Sequence, residues 1–150
     1  MNRSLNLILV CFILLLTVGC RDKNNPEPKN LAKTEILVNN PWRLKDVTDA
    51  SGKSIPQNQL TIETTAIYLF DIQFFNNNVT KAIDRVSRQV VNGGTWYLVE
   101  DEKLLDIEVS QFKGKFTIKE LTRSKMTLSN NVPVNGVSQP ANLVFEPVIQ

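Results

Sequence analysis

"GGTWYLVEDEKLLDIEV", residues 93–109, decides the fold. Trp96 and Leu98 lie two apart, and after the charged run 100–103, Leu105, Ile107 and Val109 alternate with Asp106 and Glu108. A period of two is that of an extended strand, whose successive side chains point to opposite faces, whereas a helix would repeat its apolar positions every 3.6 residues. Two such strands around a short polar turn make a hairpin with one buried face. The turn itself sets Glu100, Asp101 and Glu102 side by side. Consecutive carboxylates point in different directions, while an oxygen cage for a cation draws its ligands from spaced positions. The run therefore reads as a solvated turn, and no metal is expected.

The same rhythm extends both ways. "WRLKDV" (42–47) alternates at Trp42 and Leu44, and "AIYLFDIQFF" (66–75) reads as one long strand with Tyr68, Phe70, Ile72 and Phe74 on one side, ended by the asparagine turn 76–78. Phe116 and Ile118, Met126 and Leu128, and Leu143 and Phe145 mark three further strands. "DVTDASGK" (46–53) lacks the spacing and the closing glutamate of a calcium loop and reads as a hairpin. In "KAIDRVSRQVV" (81–91), Ile83, Val86 and Val90 also fit a helix face, but the β-branched valines favour strands. The glycines at 52, 93, 94, 114 and 136 are expected between strands, where positive φ is needed, and Pro133 and Pro140 are expected to bracket a last long loop. The sum is an all-β chain of eight or nine short sequential strands. Such strands satisfy their edges most simply as an antiparallel up-and-down barrel, and eight of them enclose a space that side chains just fill or that holds one small ligand.

Upstream, "MNRSLNLILVCFILLLTVGC" (1–20) has a basic Arg3, then an apolar run too short to span a bilayer comfortably. It reads as a secretory signal, and "TVGC" resembles the lipobox of bacterial lipoproteins, although leucine is commoner where Thr17 stands. The resemblance implies cleavage before Cys20 and its acylation. Three acyl chains such as palmitate, at about 0.8 kcal/mol per buried methylene, exceed what stable anchoring requires. Cys11 leaves with the signal, so no disulfide is expected. "RDKNNPEPKNLAK" (21–33) is polar and proline-bearing and reads as a flexible tether; reckoned from Arg21 to Asn40, its span is about 25 Å. The organisation expected is a signal over 1–19, an anchor and tether over 20–33 and a barrel domain over 34–150. Likeness to Gram-negative lipoproteins implies the cell envelope, with the outer membrane as the expected site.

Composition removes several functions. With 17 basic and 15 acidic side chains the chain is close to neutral and gives no electrostatic footprint for nucleic acid. The chain contains no histidine, and Cys20 is spent on the anchor, which excludes Ser-His, Cys-His and zinc-histidine machinery. No phosphate loop or dinucleotide fingerprint occurs, so no cofactor is expected. A glycosidase-like pair of acids about 5 to 9.5 Å apart is the one catalytic arrangement left, and it requires a cleft. Lys113, Lys115, Lys119 and Arg123 either form a solvated outer face or greet an acidic partner.

"NNPWRL" (39–44), the stretch 93–109, "FTIKELTRSKMTLS" (116–129) and "LVFEP" (143–147) together resemble the lipocalin-like domain of small bacterial lipoproteins, over Thr34 to Val148. The chain departs from true lipocalins at Asn40, where they favour glycine. The expectation that follows is a membrane-anchored, non-enzymatic protein binding a small apolar ligand, with Trp42, Tyr68, Phe70, Trp96 and Phe116 as lining. The alternative makes those aromatics a packed core and the protein an accessory of an envelope complex, acting through its outer surface. Interior volume separates the two.

Overall fold

The computed structural model of the protein describes residues 32–149; the expected signal, Cys20 and the tether as far as residue 31 lie outside them. A helix, α1 (Lys33–Asn39), precedes strands β1 (Trp42–Asp49), β2 (Phe70–Phe74), β3 (Val79–Asp84), β4 (Val90–Val99), β5 (Leu104–Val109), β6 (Phe112–Leu121), β7 (Met126–Val134) and β8 (Val137–Pro147). Each strand pairs with the next, and β8 returns to β1, closing an antiparallel up-and-down barrel of eight strands. The alternation read from the sequence sets its walls: in β5, Leu105, Ile107 and Val109 are buried while Glu108 is exposed.

Strand direction defines two ends. The lower end carries α1 and the turns after β2, β4 and β6; the upper carries the 50–69 connection and the turns after β3, β5 and β7. The hairpin read from residues 93–109 is β4–β5, with Trp96 opposite Ile107 and Leu98 opposite Leu105. Its turn residues Glu100, Asp101 and Glu102 are exposed and all have positive φ, between 53° and 60°. The β7–β8 ribbon has nine paired residues and ends at Asn135 (φ 51°) and Gly136 (φ 80°), the two successive positive φ values of a type I′ turn.

Several expectations are corrected. The stretch before Asn40 is not all tether: Lys33–Asn39 coil into α1, because Leu37 finds complete burial under the barrel. The run 66–75 is not one strand. Thr61 caps a short helix, α2 (Ile62–Ala66), a 3₁₀ turn holds Ile67–Leu69, and extended structure begins at Phe70. Residues 81–91 are strands, β3 and the start of β4, separated by a turn in which the Asp84 carboxylate accepts from the Val86 and Ser87 amides. Gly93, Gly94 and Gly114 lie inside strands. At Gly94 the reason is close approach, since a Cβ there would sit 1.7 Å from the Glu108 carbonyl oxygen. Pro133 and Pro140 bracket no loop; they stand within β7 and β8 opposite Ser138 and Asn131, beyond the reach of β6 and β1, where no ladder needs their missing N–H.

One seam differs from the rest. β1 and β2 share only two paired residues, Trp42 with Ile72 and Arg43 with Asp71. Above them a bulge between Leu44 and Asp46 turns β1 away, and its free edge pairs instead with its own return, where Ile55 N–H donates to Val47 O and Asp49 N–H to Lys53 O.

Candidate functional site

Large buried side chains pack the lower half of the barrel. Trp42 is 1% exposed, and its indole N–H donates to Leu37 O of α1 at 2.9 Å. Trp96 is equally buried; its N–H donates to Phe75 O at 3.0 Å, and its ring meets Phe74 edge-on at 5.4 Å. Both tryptophans have spent their one donor on backbone, which a floor residue requires and a ligand-orienting residue does not.

The upper end is roofed. From β1 the chain crosses to the β7–β8 turn, where Leu60 bridges Val134 and the Asn135 amide donates to Gln59 O at 2.7 Å. Ile55 is buried on the way out; the chain then returns over the opening through α2, dropping Thr64 and Ile67 inward. Beneath this roof a cavity of about 130 Å³ remains, bounded by Thr64, Ile67, Phe112, Phe116 and Leu143. Its outlet lies between β6 and β7, whose ladder stops at Thr117 and Ser129; beyond that point the Asn130 amide reaches across to Lys115 O at 3.1 Å. Ligand pockets typically measure about 300–1,000 Å³, so this space takes a small group at most.

Of the five aromatic residues singled out from sequence, Phe116 alone borders that cavity. Trp42 and Trp96 belong to the lower core. Phe70 is buried at the top of β2, and Tyr68 is half-buried on the 3₁₀ turn, where burial and the Asp46 charge push its phenol pKa up. The lysines of β6 are exposed, yet Lys113 pairs with Glu108 and Lys115 with Asp106 across β5, so the face is charge-matched.

An outer groove brings Asp46 and Glu120 onto one wall. They stand in one row, Asp46–Val144–Thr127–Glu120, across β1, β8, β7 and β6. Three strand spacings separate them, about 14 Å, beyond the range of a glycosidase pair. Asp46 is engaged by Ser54 at 2.7 Å and Glu120 by Lys125 at 2.8 Å. Among the described residues no three potential ligands converge on a metal position.

The strongest electrostatic feature was not foreseen. Asp71, the one acid inside "FDIQF", faces outward from β2 yet is 0% exposed. Arg43 donates to both its oxygens, at 2.9 and 3.1 Å, Arg88 donates to Oδ2 at 2.6 Å, and Arg85 Nε lies 3.3 Å from Oδ1. Burial alone would raise the Asp71 pKa, but the hydrogen bonds from Arg43 and Arg88 and the charges of Arg43 and Arg85 outweigh it and hold the carboxyl below its usual range. Arg85 also donates to Leu44 O at 3.1 Å, reaching from the β3–β4 turn across the β1–β2 seam. An acid alone in an apolar strand was the available signal, but its partners lie 28, 14 and 17 residues away and no local pattern joins them.

No protein-family model matches the chain, and the search of curated proteins found no match. A lipocalin-like protein from Bacteroides uniformis has a similar solved structure at 13% identity, with a TM-score of 0.48, covering 75% of this chain and 99% of that one.

Proposed function

We propose that the chain is a non-enzymatic, lipid-anchored protein of the cell envelope, held by acyl chains on Cys20 at the outer membrane, whose filled barrel is a scaffold for surface interactions. The observation that carries this reading is the interior: both tryptophans, Phe74, Phe112 and Phe145 are buried there, and the roofed cavity measures about 130 Å³. A carrier of a sizeable apolar molecule needs several times that space.

A second reading, a small apolar ligand at the barrel mouth, draws on the aromatic walls of the same cavity, Phe112 and Phe116. Native mass spectrometry of protein purified gently from its own envelope separates the two, together with tryptophan fluorescence during fatty-acid titration. The scaffold reading expects a clean apo mass and unchanged emission from Trp42 and Trp96. A co-purifying small mass, or a saturable change in emission, would move the assignment to ligand carriage.

A further inference from the structure

The arginines around Asp71 hold more positive charge than the fold uses. A carboxylate offers about four acceptor positions. Here Arg43 occupies two, Arg88 a third, and Arg85 crowds Oδ1 without the alignment of a hydrogen bond. Three guanidiniums against one carboxylate leave two positive charges in excess. The other acid within their influence, Glu146 on β8, faces Arg43 across the β1–β8 ladder and is shared with Lys45 at 3.7 Å, so it adds no net negative charge. Burial and the neighbouring Arg43 charge lower the Arg85 pKa, the mark of a cation without a full counter-charge.

The excess is accessible. The Arg43 and Arg88 side chains are 35% and 42% exposed, and Arg88 gives Asp71 only one of its nitrogens, keeping the rest of its fork free. The three groups come from different elements, β1 and the β3–β4 turn, and one carboxylate fixes all of them within a few ångströms of each other. Beside them the Arg85 amide donates to Leu69 O, which sets the exposed Leu69 next to the turn that carries the exposed Val86.

We propose that Arg43, Arg85 and Arg88 form a binding site for a phosphate group, with Asp71 as the internal post that positions them. A guanidinium fork matches adjacent phosphate oxygens in pairs, and a phosphate monoester carries about −1.5 to −2 at neutral pH, which complements the excess. The group belongs either to a soluble phosphate ester or to a lipid headgroup whose acyl region meets Leu69 and Val86.

The test uses the full chain in non-ionic detergent, comparing the melting temperature in inorganic phosphate with that in chloride at equal ionic strength. A second arm adds phosphatidic acid, a lipid with a phosphate monoester headgroup, to the micelles, with phosphatidylcholine as reference. A saturable rise with inorganic phosphate, weakened about tenfold in Arg88→Gln and less in Arg88→Lys, supports the site and a soluble ester. A rise with phosphatidic acid alone, lost in the same variants, supports the site and a lipid source. Phosphate also stabilises proteins generally by exclusion, an effect blind to these residues. Increments that are equal in wild type, Arg88→Gln and the double Arg43→Gln/Arg88→Gln variant, or absent throughout, would overturn the proposal. Because each increment is read within one variant, a change in that variant's own stability does not obscure the result.

Discussion

The β7–β8 ribbon and the β1–β2 seam are joints of the same barrel held by different means. The ribbon has nine paired residues and a turn of two; the seam has two paired residues and a connection spanning 50–69. A short loop returns the chain in register, and every further pair adds ladder hydrogen bonds with no new loop to close. A long connection does not enforce register, so side chains take over. Arg43 and Arg85 do the joining, Asp71 anchors both, and the hairpin return at 53–55 covers the rest of the β1 edge. A barrel can thus close with one joint of backbone and one of charge, and only the second leaves chemistry on the surface.

This difference has consequences that substitutions can break. The largest is expected at Asp71. Asp71→Asn removes the buried anion on which three cations converge, and should cost about 3 kcal/mol at pH 7 in chemical denaturation. Its pH dependence follows from the lowered carboxyl pKa: the group's contribution is complete above the unfolded value of about 3.9 and is lost as pH falls through the lower folded value. Wild type should therefore lose stability on acidification below about pH 4 more steeply than Asp71→Asn does.

Gly94→Ala tests the opposite joint type, a ladder where backbone approaches backbone. A Cβ at 1.7 Å from the Glu108 carbonyl forces β4 and β5 apart, and a loss of about 2 kcal/mol is expected in the same assay. Arg85→Met sharpens the contrast, because it removes the hydrogen bond to Leu44 O while keeping most of the side-chain bulk. About 1 kcal/mol should be lost, with faster amide exchange confined to β1 and β2. The smallest effect is expected at the lower turn. Asp101 holds a left-handed conformation, and Asp101→Gly should relieve strain and raise stability by about 0.5 kcal/mol, visible as a small rise in melting temperature.

The lower part of the ribbon was legible in the sequence; its upper part, expected as a loop between Pro133 and Pro140, and the seam were not, for a physical reason. β-strand alternation and turn chemistry are local: Leu105, Ile107 and Val109 reveal a buried face over five residues, and Asn135-Gly136 marks its own turn. The barrel could be read from such signals, together with the burial of Trp42 and Trp96. Residues 66–69 were misread because the start of the apolar run that reads as strand belongs to a roof, in which Ile67 is buried but Leu69 is exposed. Gly94 was misread because its neighbour, Glu108, lies on the next strand. The arginine cluster joins Arg43, Asp71, Arg85 and Arg88 through tertiary closure alone. Interior volume likewise depends on how distant side chains fill one another's gaps, which periodicity does not record.

Native-state hydrogen exchange, resolved by residue and compared between wild type and Asp71→Asn, tests most directly whether charge holds the seam and backbone holds the ribbon. The amides of Trp42–Val47 and Phe70–Phe74 should open at lower free energy than those paired in β7 and β8, and Asp71→Asn should widen that gap. Uniform exchange across all eight strands, lowered evenly by the substitution, would contradict the account.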